Sequence, residues 1–437
     1  MADRTYWENL IKGELVQRRE EGCDIESIEK KFNEADRGNV ASLEALFAEL
    51  EALPIKEAFP YLEPSTLEEI RAERLAGPRR MQKRFTESEL QNKILGAWLG
   101  RCAGCCLGKP VEGWHKERIE NYLKLAGEYP LKNYFPIIVP IPEGYPQHLA
   151  NHDCMQGRVQ YMARDDDTDY TIMGLYILEA RGLDFTTEDV ANAWLNRLPY
   201  NLVYTAERIA YRNLVNGIKP PQSASYHNQC REWIGAQIRA DAWGYVTPGW
   251  PEKGAEFGFR DAAVSHVKNG IYGEMFVSAM ISAAFATDDI EEIINVALSE
   301  IPEKSRLTEA MKNTVEWSKE CRTWQEAWKK VNEHYGHYHP VHTINNAAVV
   351  LLGLLYGEKD FGKTIGISVM GGWDTDCNGA TAGSMIGAIL GAKALPPEWV
   401  EPLNDRIMSY VIGFNDSKIS DLANRTLAIA KKVLEQG

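Results

Sequence analysis

Apolar residues return at helical intervals through most of this chain, with polar residues filling the positions between them. Residues 42–53 (SLEALFAELEAL) repeat Leu at helical spacing and set acidic residues on the opposite face. Four segments, 65–68, 86–89, 186–189 and 323–326, place a hydroxyl residue three positions ahead of an acid before an apolar-periodic run. That is the pattern of a capping box at a helix start. Strict alternation is nearly absent. The one strand-like stretch, 134–142 (YFPIIVPIP), contains three prolines and reads as an extended loop. The pattern predicts an all-α protein.

The helical text divides at about Arg84. Residues 1–84 read as a polar helical N-terminal extension that ends in Gly77-Pro78 and the basic run Arg79, Arg80, Lys83 and Arg84. Residues 85–437 read as one continuous helical body, punctuated by Pro/Gly-rich loops at 219–222 and 244–254. A chain of 437 residues is long enough to bury a large core.

Composition narrows the classes of partner. Asp and Glu number 62 against 48 Lys and Arg, a formal charge of −14. That balance argues against nucleic acid and anionic membrane, which need clustered basic residues, while leaving room for a small phosphorylated ligand. The first two dozen residues lack an apolar h-region. Eight cysteines are scattered, with Cys105 and Cys106 adjacent, which suits a reduced, cytoplasmic protein better than a disulfide framework.

Two glycine ladders stand out. Gly96, Gly100, Gly104 and Gly108 recur every four residues, and so do Gly379, Gly383, Gly387 and Gly391. Interior helical glycines cost about 1 kcal/mol each against alanine, so a stripe of them implies close approach of another backbone. The spacing also suits membrane helices, but the uncharged stretch 377–392 falls short of a bilayer span, and Arg101 interrupts the first ladder. Cys102-Ala-Gly-Cys105 is formally a redox motif without the βαβ setting that chemistry needs.

The candidate chemistry lies in two acidic runs, each opening a helix. Asp165, Asp166, Asp167 and Asp169 fall within five residues, ahead of the apolar stretch 170–180. One or two would serve as helix caps; four repel one another unless water or cations neutralise them. Gly371-Gly372-Trp373-Asp374-Thr375-Asp376-Cys377-Asn378-Gly379 matches the opening of a calcium loop, but its twelfth position is Met385 rather than Glu. Two such loops facing each other could share hard divalent ions. His334, His337, His339 and His342 crowd nine residues without a standard zinc spacing.

The stretches GAWLGRCAGCCLGKPVEG (96–113), DDDTDYT (165–171) and GGWDTDCNGATAGSMIGAILGA (371–392), in this order, resemble the ADP-ribosylglycohydrolase family over roughly residues 90–410. The resemblance implies an orthogonally packed helical bundle with two metal ions, Mg²⁺ or Mn²⁺, in a cleft. It implies cleavage at ribose C1″ of ADP-ribose carried by a protein side chain or a small acceptor. Position by position, the family's metal-ligand runs fall on Asp165, Asp166 and Asp167, and on Asp374, Asp376 and Cys377. Its G-x-P-x-E segment falls on Gly108, Pro110 and Glu112, which makes Glu112 the residue to position or deprotonate water.

Several positions depart from the family pattern. Asp165 stands where Thr or Ser is usual, Cys377 replaces a hydroxyl ligand, Cys105 replaces a frequent Asp, and Trp373 is inserted between Gly-Gly and Asp. A soft thiol is a poor partner for Mg²⁺. His266, Asn269 and Gly270, on a polar turn before an apolar helix, and Trp373 are expected to contact substrate; helix capping is an equal alternative for the turn. His342, with Asn345 and Asn346, could line the cleft. A different N- or O-glycoside, or a catalytically silent binding role, stays open.

Overall fold

A computed structural model describes residues 4–35 and 39–436 of the chain. Among the described residues there are twenty-one α-helices and one sheet of two short antiparallel strands, Arg406–Met408 and Asp416–Lys418. Strands of three residues are too short to show alternation in sequence. Residues 134–142 form no strand.

The helix starts follow local chemistry. Thr186 with Asp189, and Thr323 with Glu326, form complete reciprocal capping boxes. Thr86 accepts from the amide of Glu89. The fourth start lies one residue later than the 65–68 pattern: Thr66 is the cap, accepting from the amide of Glu69. The reason is competition, because the hydroxyl of Ser65 accepts from the distant amide of Lys268 instead. The leucine-rich segment forms helix Val40–Glu51 with Asn39 as its cap.

Apolar side chains bury themselves in two cores. Helices Arg4–Glu20, Glu26–Glu34 and Val40–Glu51 close a small one around Ile11, Phe32, Leu43, Phe47 and Leu50. A second, much larger core runs from Ile70 to Val433. The packing boundary therefore falls ahead of Gly77-Pro78. Among the described residues no helix is long and apolar enough to cross a membrane.

Each glycine ladder is the other's partner. Helix Glu87–Gly108 lies antiparallel against helix Thr375–Leu390. A side-chain carbon at Gly96, Gly100 or Gly104 would sit on the carbonyl of Gly387, Gly383 or Gly379 respectively. At Gly108 it would sit on the carbonyl of Thr375, whose hydroxyl donates to the Gly108 carbonyl at 2.8 Å. The end of the first helix thus lies beside the start of the second. That contact brings the 108–112 segment to residues 374–377.

Candidate functional site

Three chain segments meet at this junction. The first follows Gly108: a single 3-10 turn, Lys109–Val111, leads into Glu112. Residues 113–115 then run antiparallel to 372–373, with Gly113 N–H donating to the Trp373 carbonyl and Trp373 N–H to the Trp114 carbonyl, both at 2.9 Å. This pairing fixes Glu112 beside the second acidic run. Trp373 holds a left-handed backbone (φ 64°), a strained conformation for a bulky residue that these two bonds enforce.

The second segment is the start of helix Asp166–Arg181. Asp165 is its cap and accepts from the amide of Asp167 at 3.1 Å. Arg101, buried on the first ladder helix, donates to the Asp167 carbonyl at 2.8 Å and pairs with Asp241 at 2.7 Å. Lys109 forms an ion pair with Asp165.

The third segment is the start of helix Thr375–Leu390. Asn346, on the neighbouring helix Thr343–Tyr356, accepts from the amide of Asp374 at 3.1 Å and from the side-chain amide of Asn378 at 2.9 Å. The thiol of Cys377 donates to Asp167 at 3.2 Å, joining this run to the first.

Glu112, Asp165, Asp166, Asp167, Asp374, Asp376 and Cys377 all line one cavity of about 270 Å³. At this cavity the donor atoms fall into two groups, each within 4.8 Å: Asp165 and Asp167 with Cys105, which lies behind the lining, and Asp374 with Asp376 and Cys377.

The electrostatics follow from crowding like charges in a covered space. Burial, reinforced by Asp165, raises the carboxyl of Asp166 well above its ordinary value. Burial dominates for Asp167 and outweighs the pull of Arg101. It also raises Asp376, with Glu112, Asp165 and Asp374 adding to it, and Asp374 to a lesser degree. Asp165 is the exception: against its burial, Lys109 holds it low. Glu112 is exposed at the rim, yet the surrounding protein and the carboxylates of Asp374 and Asp165 raise it, and solvent tempers that rise. Oδ1 of Asp376 is buried and has no hydrogen-bond partner. A dense oxygen donor set with an unpartnered buried carboxylate oxygen fits a hard divalent cation.

Four expected substrate contacts lie elsewhere. His266, Asn269 and Gly270 are buried outside the cavity lining. Asn269 opens helix Asn269–Ala284 and donates to Glu63 at 2.8 Å and Glu232 at 2.7 Å. The ring of His266 bonds Ser265 at 2.8 Å, and Gly270 packs against His266 and the Arg231 carbonyl. Asn269 is taken up by an internal charge network, and His266 and Gly270 by local contacts. Trp373 is buried against Trp328, ring centroids 5.9 Å apart, and does not line the cavity. His342 is also turned away: buried, it caps helix Thr343–Tyr356, while its neighbour Val341 reaches the cavity. The rings of His339 and His342 stack on Trp233 and Tyr338, and that of His337 tilts against Tyr338.

Sequence reasoning gave no role to Lys109, Arg164, Glu207, Ile234 or Val341, all of which line the cavity. Lys109 carried a signal, being a lone cation inside the GKPVEG stretch. Glu207 carried none; it is held by the buried Arg239 at 2.8 Å, a partner distant in sequence.

An all-α frame whose opposed helix starts present carboxylates to one cavity defines a helical protein with acidic groups able to hold metal. The family model of ADP-ribosylglycohydrolase matches residues 86–435, and this chain belongs to that family. No curated protein matches it. One solved structure, described as an "ADP-ribosylglycohydrolase-related protein complex", is 19% identical, with 79% of this chain and 99% of that chain covered and a TM-score of 0.48. At that level the likeness adds nothing to the family match.

Proposed function

We propose that this chain hydrolyses the C1″ glycosidic bond of an ADP-ribosyl adduct on a protein side chain or small acceptor. One relationship supports this reading: acidic runs from opposite ends of the body open into a single cavity in a member of the ADP-ribosylglycohydrolase family. Asp165, Asp166, Asp167, Asp374 and Asp376 would hold two divalent ions, with Mg²⁺ or Mn²⁺ matching their hard oxygens. When bound, those ions would anchor the ribose hydroxyls and acidify a coordinated water.

The chain's own residues do the rest. Hydrolysis at an anomeric carbon passes through an oxocarbenium-like transition state, and the fixed carboxylates oppose the positive charge that builds on the ribose. Glu112, at the rim and raised from its ordinary value, accepts a proton from the attacking water near neutral pH. Cys377 occupies a ligand position, but burial and the surrounding aspartates keep its thiol protonated, so it orients Asp167 through their hydrogen bond. Ile234, Ile238 and Val341 form the apolar side of the cavity and exclude water there.

The cavity's size supports a second reading. About 270 Å³ is below the ~300–1,000 Å³ of usual ligand sites, so a smaller N- or O-glycoside would fit it entirely. Five aspartates and Glu112 lining the cavity argue against a silent member. Incubation with ADP-ribosyl-arginine, ADP-ribosyl-serine and O-acetyl-ADP-ribose separates these readings. Release of ADP-ribose from at least one, abolished in Asp374→Ala/Asp376→Ala, is the expected result; turnover of none, with cleavage of a nucleoside, would shift the assignment to the smaller glycoside.

A further inference from the structure

The two donor groups at the cavity are not equivalent. In the group of Cys105, Asp165 and Asp167, each carboxylate oxygen already has a donor from the protein. Asp165 takes the Lys109 ammonium on Oδ2 and the Asp167 amide on Oδ1 at 3.1 Å. Asp167 takes Arg101 on Oδ1 at 3.3 Å and the Cys377 thiol on Oδ2 at 3.2 Å. In the group of Asp374, Asp376 and Cys377, Oδ1 of Asp376 is buried with no donor at all.

Lys109 is held where it is. It sits between Gly108, whose backbone is pressed against Thr375, and Pro110, whose ring restricts the turn. Its side chain is only 22% exposed and lines the cavity. Asp165, which stands where the family resemblance has Thr or Ser, supplies its counter-charge.

From this asymmetry we infer that the Lys109 ammonium occupies the place of one of the two cations, so that the chain binds a single tight divalent ion on the Asp374–Asp376 side. The inference rests on the metal reading above and changes its count. A tethered ammonium carries one charge and three donors, enough to satisfy Asp165 but not the open Asp376 oxygen. It also repels a second divalent ion at close range.

Mn²⁺ titration of the metal-stripped full chain tests this, read by calorimetric stoichiometry and by electron paramagnetic resonance. The expected result is one ion per wild-type chain with the spectrum of isolated Mn²⁺. Lys109→Met should bind two and show a spin-coupled pair. Lys109→Met/Asp165→Thr, which removes both partners and leaves no unpaired buried charge, should also bind two and guards against misfolding of the single variant. Two ions in the wild type, or one ion in both variants, would overturn the inference while leaving the metal centre standing. No Mn²⁺ bound by any of the three would remove the centre and the inference together.

Discussion

The carbonyl of Gly379 fills the space that a side-chain carbon on Gly104 would need, and the carbonyl of Gly104 does the same to Gly379. Two helices from opposite ends of the body therefore touch backbone to backbone, and their ends deliver Glu112 and Asp374–Asp376 to one place. A methyl group at Gly104 has only backbone to displace, so Gly104→Ala is expected to destabilise by at least the ~1–3 kcal/mol typical of overpacking. It should also weaken the thermal shift produced by Mn²⁺, since the helix starts separate. Gly366→Ala is the control: Gly366 is a helical glycine whose nearest obstacle is a carbonyl oxygen at 3.4 Å. There the gain in helix propensity should leave stability unchanged or higher. Equal melting temperatures for the two variants would contradict the ladder contact as the organiser of the site.

Arg101 gives a second test of the same frame. Its guanidinium is fully buried and reaches Asp241, the carbonyl of Asp167 and the carbonyl of Ile238, the last at 2.6 Å. Arg101→Met strands the buried carboxylate of Asp241, and such a loss typically costs ~3–5 kcal/mol. Removing the stranded charge as well, in Arg101→Met/Asp241→Leu, should recover part of that loss. Urea unfolding of both proteins measures the difference; a double variant no more stable than the single one would contradict this account.

What could be read from the sequence, and what could not, divides by range. The ladders, the acidic helix starts and the caps at Thr86, Thr186 and Thr323 are periodic or local, so their signals lie within a few residues. Glu112 was legible only through family resemblance, because its neighbours in space, Asp374 and Asp165, are far along the chain. The clamp of Asn346 on Asp374 and the pairing of Arg239 with Glu207 have no local trace. His266, Asn269 and Gly270 lie outside the cavity lining, and their surroundings are long-range as well. A polar turn before an apolar helix looks like a binding loop until the charges that satisfy it, Glu63 and Glu232, are seen beside it.

The crowded carboxylates make metal binding a proton-releasing event. Burial and neighbouring carboxylates raise Asp166, Asp167, Asp376 and Glu112, and burial raises Asp374, so the metal-free native state keeps protons that an unfolded chain releases near pH ~4. Above that pH the native state binds more protons than the unfolded one, and its stability falls as pH rises toward the raised native values. Asp165 runs the other way: held low by Lys109, it stabilises above its unfolded value and loses that contribution only in acid. Melting from about pH 5 to about pH 8 in EDTA should therefore decline, and Mn²⁺ should flatten or reverse the decline. Calorimetry in two buffers of different ionisation enthalpy should report protons released per ion bound. A metal affinity independent of pH over that range would contradict the burial of these groups as acids.

The N-terminal helices reach the cavity wall through buried charge. Arg231 donates to both oxygens of Glu14, at 2.7 and 2.8 Å, and to Glu21 at 3.1 Å, while Gln17 donates to Glu232 at 2.7 Å. Three residues beyond Arg231, the amide of Ile234 donates to the Val341 carbonyl at 2.9 Å, and both of these side chains line the acidic cavity. Glu14→Ala/Glu21→Ala leaves Arg231 buried without its carboxylates, and the pair of segments 231–234 and 339–342 loses its outer support. Hydrogen exchange should accelerate in those two segments at least tenfold, the equivalent of about 1.4 kcal/mol in local opening, while the ladder helices keep their protection. Glu14→Gln should show a smaller acceleration, because an amide oxygen still accepts from the guanidinium. If exchange rises only within the N-terminal helices themselves, the extension is a passive appendage and the wall of the cavity stands without it.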